Sequence, residues 1–473
     1  MTGPMKAGVA TLLGDPKPAI RSLAWPVMIG MLLQTVYNLT DAFWVVGLGA
    51  DALAAVGFFF PFFFAVFGFA NGMGGVGVGG SAISRHIGMR DHEGANRVAA
   101  HTAVLVLVFS VLITIAGLLV TGSFGTILGG ETSVAAMATG YADITFMGTF
   151  FILFLAIGSA LLRGEGDAKR TMYVMLVSSL VNIILDPIFI YGLGLGVEGA
   201  AWATVVAFIT ACIPIFWWIF VKRDTHVQIT FAGFSFSRPI TGGEILKVGI
   251  PASFQHVSMA LTTFALNLII LMVATTDGVA IYVTGWRVIT IGITPPLIAI
   301  STAVVSVCGG AAYGAGLIRK AEEGHLYAIR LGLLISLIVT VAVYLGAPPY
   351  IAQVFSYSED AAHLYPGLVS FLQTVCFFFP AISFGIFSAS LLQGGFGRGG
   401  MDSLVITLIR TIVMMVVSCY LLAVTFGWGG IMGIWWGGLV IGNTVGAGIG
   451  FVWARIYTKM LIRRGGSVPE ESV

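Results

Sequence analysis

Long apolar stretches alternate with short polar gaps along the whole chain. Twelve can be drawn, at residues 20–46, 52–80, 98–120, 134–162, 171–192, 197–221, 245–272, 279–309, 326–346, 362–390, 402–425 and 431–457. A helix needs about 20 apolar residues to cross a bilayer. The pattern therefore predicts an all-α membrane protein with twelve transmembrane helices. The gaps are short, so no soluble domain is inserted. Residues 1–19 are polar and run straight into the first span, without the pattern of a cleavable signal peptide.

Charge orients these spans. The even-numbered gaps hold Arg85, Arg90 and Arg97; Arg163, Lys169 and Arg170; Lys222, Arg223, Arg238 and Lys247; Arg319, Lys320 and Arg330; and Arg398. The two tails carry Lys6, Lys17 and Arg21, then Arg455, Lys459, Arg463 and Arg464. The odd gaps hold no Lys or Arg, and only Arg287 and Arg410 lie inside an apolar stretch away from its ends. Basic loops stay cytoplasmic, so both termini are expected in the cytoplasm of a prokaryotic cell with a multi-pass inner-membrane protein.

The composition agrees. The 473 residues are 58% hydrophobic and 9% charged, where a soluble domain carries about 25% charged residues. The net charge of +2 then reflects orientation in the bilayer, and no nucleic-acid partner is expected. Cys212, Cys308, Cys376 and Cys419 stand singly in apolar runs and read as small packing residues, neither disulfides nor metal ligands.

The chain also repeats itself at an offset of about 225–235 residues. Leu161-Leu162-Arg163-Gly164 returns as Leu391-Leu392-Gln393-Gly394, and Gly196 to Trp202 returns as Gly430 to Trp436. Ile20 to Pro26 leads the first span as Ile245 to Pro251 leads the seventh. Six spans per half is an even number, so the halves share one orientation and are related by an axis along the membrane normal. The expected organisation is a first lobe at 1–221, a cytoplasmic linker at 222–244 and a second lobe with tail at 245–473. Glycines four apart, Gly438, Gly442, Gly446 and Gly450 in span 12 and Gly68 with Gly72, then Gly75 with Gly79 in span 2, predict close helix packing.

Carboxylates inside membrane spans are costly and usually functional. Asp41 in span 1 and Asp186 in span 5 each stand about six residues before the Gly that ends the span, Gly47 and Gly192, so matching depth in the outer half of the bilayer is expected. Gln34, Tyr37, Asn38 and Asp41 follow helical spacing, as do Ser178 or Ser179, Asn182 and Asp186, and Thr204 of span 6 lies at similar depth. Met172 and Met175, and Phe59, Phe60 and Phe62 to Phe64, are candidates for an apolar wall. Spans 7 and 10 lack acids. Their half offers Gln255, His256 and Arg287 as polar groups, with Arg287 expected to be buried and Arg410 to snorkel to the inner face.

These motifs identify a resemblance. Trp25-Pro26, Gln34-Thr35-Val36-Tyr37-Asn38-Leu39-Thr40-Asp41 and Gly49 to Gly57, with Arg163 to Asp167 and Gly196 to Trp202, resemble a multidrug and toxic compound extrusion (MATE) transporter over nearly the whole chain. The resemblance implies a V of two six-helix lobes around a central cleft, and efflux of organic, often cationic amphipathic compounds driven by H⁺ or Na⁺. Asp41 matches the family's span 1 acid, and Asn182 with Asp186 matches the span 5 pattern of the DinF-like branch, with Tyr37 and Thr204 as polar partners. The span 7 and span 10 acids of the NorM-like branch are absent.

Two close, buried carboxylates cannot both stay ionised cheaply, which suits exchange of a proton for a cationic substrate. Asp41, Asn182, Asp186 and Thr204 equally supply oxygens for Na⁺. Gln34, Tyr37, Asn38, Asp41, Met175, Ser179 and Asn182 are the candidate substrate contacts. Small organic molecules and the bilayer are the expected partners, for a monomer that needs no cofactor and no metal beyond that possible Na⁺. Two other readings stay open: a flippase for lipid-linked precursors, which would want a more cationic cleft, and an integral membrane enzyme, for which no paired acidic motif or Cys/His cluster is visible.

Overall fold

A computed structural model describes residues 7–73, 81–128, 133–231, 234–237, 239–292, 294–345, 363–396 and 400–464. Lys6, Gly75, Gly79, Arg238 and Arg398 lie outside them. Among the described residues the chain is helical almost throughout, and twelve spans follow one another. Eleven are single helices: Pro16–Val46, Ala50–Met73, His92–Thr121, Ala168–Gly192, Gly196–Val221, Pro239–Ala274, Thr294–Ala312, Ile318–Leu345, Tyr365–Gln393, Gly400–Thr425 and Gly433–Arg463. Span 4 is the exception. It is a bent pair, Ser133–Met147 and Thr149–Gly164, meeting at 48°, within the single span drawn at 134–162. The bend falls at Gly148, which sits so close to Val205 of span 6 that a Cβ would come within 2.6 Å of its Cγ2.

Helical backbone also runs unbroken from Lys247 to Gly292, through the expected gap between spans 7 and 8. It is not straight there. Tyr282 reaches Thr263, whereas 19 residues of straight helix would hold them about 28 Å apart. The chain therefore bends sharply near 273–278, without losing its helical hydrogen bonding.

Helix starts on the basic face are built from acids. The Asp15 carboxylate accepts from Lys17 N, Asp91 from Gly94 N and Asp167 from Arg170 N, at 2.9, 2.8 and 3.1 Å. Each satisfies an orphan amide and faces the positive end of a helix dipole.

Spans 1–6 and spans 7–12 join near the basic face. There a Cβ on Gly68 would come within 2.7 Å of the His256 Cβ, one on Gly72 within 2.3 Å of Ser253 N, and one on Gly88 within 2.1 Å of Ala311 O. Glu244, in the first turns of span 7, accepts from Arg85 at 2.7 Å and lies 2.9 Å from His86 Nε2, whose Nδ1 is 2.9 Å from Asp91. The short helix Ala7–Leu13 spans the seam. Gly8 presses on Gly166, whose φ of +86° only glycine adopts freely, and Leu13 O accepts from Lys320 Nζ at 2.9 Å. One apolar core runs across both halves at this level, with Ile20, Leu23 and Val27 beside Leu297, Val304 and Val307. The far end of the first half keeps a separate core around Phe59, Phe124, Phe146 and Val197. Phe60 and Phe64 of span 2, and Leu261 and Phe264 of span 7, lie beyond the joined level and are exposed.

Candidate functional site

Spans 1 and 5 pack along each other's length. Gly30 permits this: a Cβ there would sit 2.4 Å from the Met175 sulfur. Higher up, Tyr191 donates to the Trp44 carbonyl at 2.6 Å. Between these two contacts the acids of both helices come together.

Asp186 is wholly buried, Asn182 is 2% exposed and Thr204 is 8% exposed. Asn182 Nδ2 donates to Asp186 Oδ1 and to Thr204 Oγ1, at 3.3 Å each. Pro187 follows directly and cannot donate to the carbonyl of Ile183, and the helix widens into a π-helical turn over Ile188–Gly192. Asp41 faces this cluster from span 1, half-buried. Tyr37, one turn below, is buried and hydrogen-bonds Gln34, within electrostatic reach of both Asp41 and Asp186. Ser178 and Ser179 are buried beneath Asn182.

Three oxygens of the cluster, Asp41 Oδ1, Asp186 Oδ2 and Asn182 Oδ1, are buried without a hydrogen-bond partner among the described residues. Leaving a buried acceptor unpaired is costly. An oxygen-rich, donor-poor cluster of this kind suits a bound proton or a hard monovalent cation. Among the described residues no group of three His, Cys, Asp or Glu side chains is arranged for a metal ion, so any cation would rest on the amide and hydroxyl oxygens as well.

Sequence reasoning missed Tyr141. It lies on the first limb of span 4, 9% exposed, within electrostatic reach of Asp41, Tyr37 and Asp186, and edge-on to Phe59. Only its place two residues before Asp143 hinted at it, and Asp143 itself instead accepts from Thr121 at the end of span 3. Asn38 is exposed.

The second half differs from expectation. Gln255 donates to Ser403 at 3.0 Å, and His256 sits against Gly68 at the seam. Arg287 is exposed, not buried. The Arg410 stem lies between Gly385 and Gly446, where Cβ atoms would come within 3.2 Å of its Cδ and 3.0 Å of its Cγ. The two small residues leave room that only the arginine stem fills.

The family description MatE matches two stretches, residues 26–188 and 251–421. The chain belongs to the MATE family. Both matches open on the prolines that lead spans 1 and 7, Pro26 and Pro251. The multidrug export protein MepA of Staphylococcus saprophyticus is 30% identical over 246 residues, covering 51% of this chain and 53% of that protein. The chain thus spans about half the length of the curated relatives it matches. Solved structures match far more fully. A MOP superfamily transporter from Pyrococcus furiosus is 43% identical, with TM-score 0.92 over 97% of this chain and all of that one. A multidrug resistance MATE transporter in an outward-facing conformation is 42% identical, with TM-score 0.92 over 97% of this chain and 99% of its own.

Proposed function

We propose that this MATE protein is an antiporter that exports organic, often cationic amphipathic compounds across a prokaryotic inner membrane, driven by H⁺ or Na⁺. The observation that carries the reading is the cluster of three unpaired buried oxygens on Asp41, Asn182 and Asp186. Ion binding there neutralises the site and weakens its hold on a cationic substrate; ion release restores it. Tyr37, Tyr141 and Thr204 position the carboxylates, while Gln34, Asn38, Met175 and Ser179 border the path a substrate takes.

The two halves act as lobes, 1–221 and 245–473, joined by 222–244. With the basic loops and both termini inside the cell, the joined level is the cytoplasmic gate and the parted ends open outward. That is one arm of an alternating-access cycle. The driving force suffices: a charge crossing about 150 mV gains roughly 3.5 kcal/mol, enough for a gradient of about 300-fold. The flippase alternative asks for cations around a pyrophosphate, and the best-formed polar cluster is acidic.

The test is transport of a fluorescent organic cation in proteoliposomes of purified protein, with ΔpH and ΔNa⁺ imposed separately. Uptake driven by one gradient and abolished by collapsing it identifies the ion. Uptake indifferent to both sinks the coupling mechanism.

A further inference from the structure

The membrane-embedded parts of the two halves carry opposite charge. Spans 1 and 5 hold Asp41 and Asp186. From Ile245 on, the apolar stretches hold Arg287 and Arg410 in their interiors, and the acids Asp277, Glu322, Glu323, Glu359, Asp360 and Asp402 stand at helix ends or in gaps, with Glu470 and Glu471 in the tail. Arg410 lies ten residues into span 11, counted from Gly400. That is about 15 Å along the axis, near the middle of a hydrocarbon layer of about 30 Å. Its stem is enclosed by Gly385 of span 10 and Gly446 of span 12. Neither guanidinium has a hydrogen-bond or ion-pair partner among the described residues.

A polar seam runs beside Arg410. The hydroxyls of Thr411 and Ser258 lie 3.4 Å apart, and about two turns nearer the start of span 11 Gln255 donates to Ser403, so spans 7 and 11 face each other with polar groups up to this depth. An intramembrane cation without a counter-ion lines a wet cavity or awaits an anion. A guanidinium presents a planar fork of donors matched to a carboxylate.

We infer that Arg410, with the seam beside it, forms an anion-recognising subsite in the second half, for amphipathic substrates that carry a carboxylate or a similar single negative group. Arg287, exposed near the end of the helical run Lys247–Gly292, adds positive potential to the same half. The inference deepens the export reading and rests on it. Zwitterionic amphiphiles then fit best, their cationic end toward the acids of the first half and their anionic end toward Arg410.

The probe is a rhodamine bearing a free carboxylate, compared with its methyl ester, by fluorescence anisotropy on protein in nanodiscs. Wild type should prefer the acid. Arg410→Gln should weaken binding of the acid by about tenfold or more and leave the ester unchanged, while Arg410→Lys keeps part of the preference. Equal loss for both dyes, or no loss for either, overturns the inference. If Arg410→Gln does not yield monodisperse protein, the wild type decides: binding of the acid must fall with salt more steeply than binding of the ester, and equal slopes overturn the idea. Asp41→Asn separates this from the coupling mechanism. It should abolish gradient-driven export of the ester yet keep the acid-over-ester preference in binding. If Asp41→Asn exports normally while Arg410→Gln still loses the acid, the coupling assignment fails and the anion subsite stands.

Discussion

Single residues decide the chemistry here. The Asn182 amide donates to both Asp186 and Thr204, and Asp41 faces them from span 1, so replacing either acid by Asn keeps size and much of the hydrogen bonding but removes the titratable or cation-binding oxygen. Asp41→Asn and Asp186→Asn should each abolish gradient-driven efflux in monodisperse protein. His256→Gln, whose side chain meets Gly68 at the seam, should be milder. Wild-type transport by both Asn variants, with His256→Gln dead, would move the working site to the second half. Tyr141→Phe should slow transport several-fold without unfolding, since its ring packs on Phe59 and its hydroxyl is within electrostatic reach of the acids. Outside the membrane, burial alone would raise the Asp91 carboxyl, but the Gly94 amide and His86 outweigh it and hold it below its ordinary value. A depressed carboxylate contributes stability above its unfolded value, about 3.9, and loses that contribution as pH falls through the lower folded value. The difference in thermal stability between wild type and Asp91→Asn should therefore be largest near neutral pH and shrink under strong acid.

Helix contacts translate these residues into a fold. The span 12 glycines show how. Gly438, Gly442, Gly446 and Gly450 meet Cys419, Met414, Arg410 and Ile406 of span 11 in turn, close packing as the four-residue spacing predicts. Gly72 is different because its contact crosses the two halves, onto the backbone of Ser253. Gly72→Ala should drive spans 2 and 7 apart at the basic face, so that a cysteine placed nearby reacts faster with a reagent added from that side. Gly57→Ala, with nothing within 4 Å, serves as the control and should leave reactivity unchanged; equal effects from both would rule out a gate at this contact. The bend in span 4 is a further element-scale feature, since it carries Tyr141 on one limb and the loop to span 5 on the other.

At the scale of the molecule, the two halves are held at one face by a small set of polar and close backbone contacts. Glu244 joins Arg85 and His86 across the seam, and Ala7–Leu13 bridges Gly166 and Lys320. Glu244→Gln should loosen the joined state, read as a larger share of the opposite-facing conformation by distance measurements between labels on spans 2 and 7; an unchanged distribution would show that apolar packing alone holds the seam. The orientation itself is tested by cysteine labelling. In a cysteine-free background, cysteines at Asp51 or Asp277 should react with an impermeant maleimide from outside, and those at Glu93 or Asp167 should not. Reversed labelling would exchange the two sides of the membrane.

Length of apolar runs and placement of Lys and Arg are local properties, so the twelve spans, the basic face and the two intramembrane acids were legible from the chain alone. The spacing Asn182 to Asp186 was legible too, because one helical turn brings those side chains together in any fold. Which way a membrane helix faces was not. Lipid and protein core are both apolar, so hydropathy hardly distinguishes them, and only tertiary packing left Asn38 exposed, brought Tyr141 to the acids, exposed Arg287 and enclosed the stem of Arg410. Contacts such as Arg85 with Glu244, 159 residues apart, likewise exist only once the two halves meet.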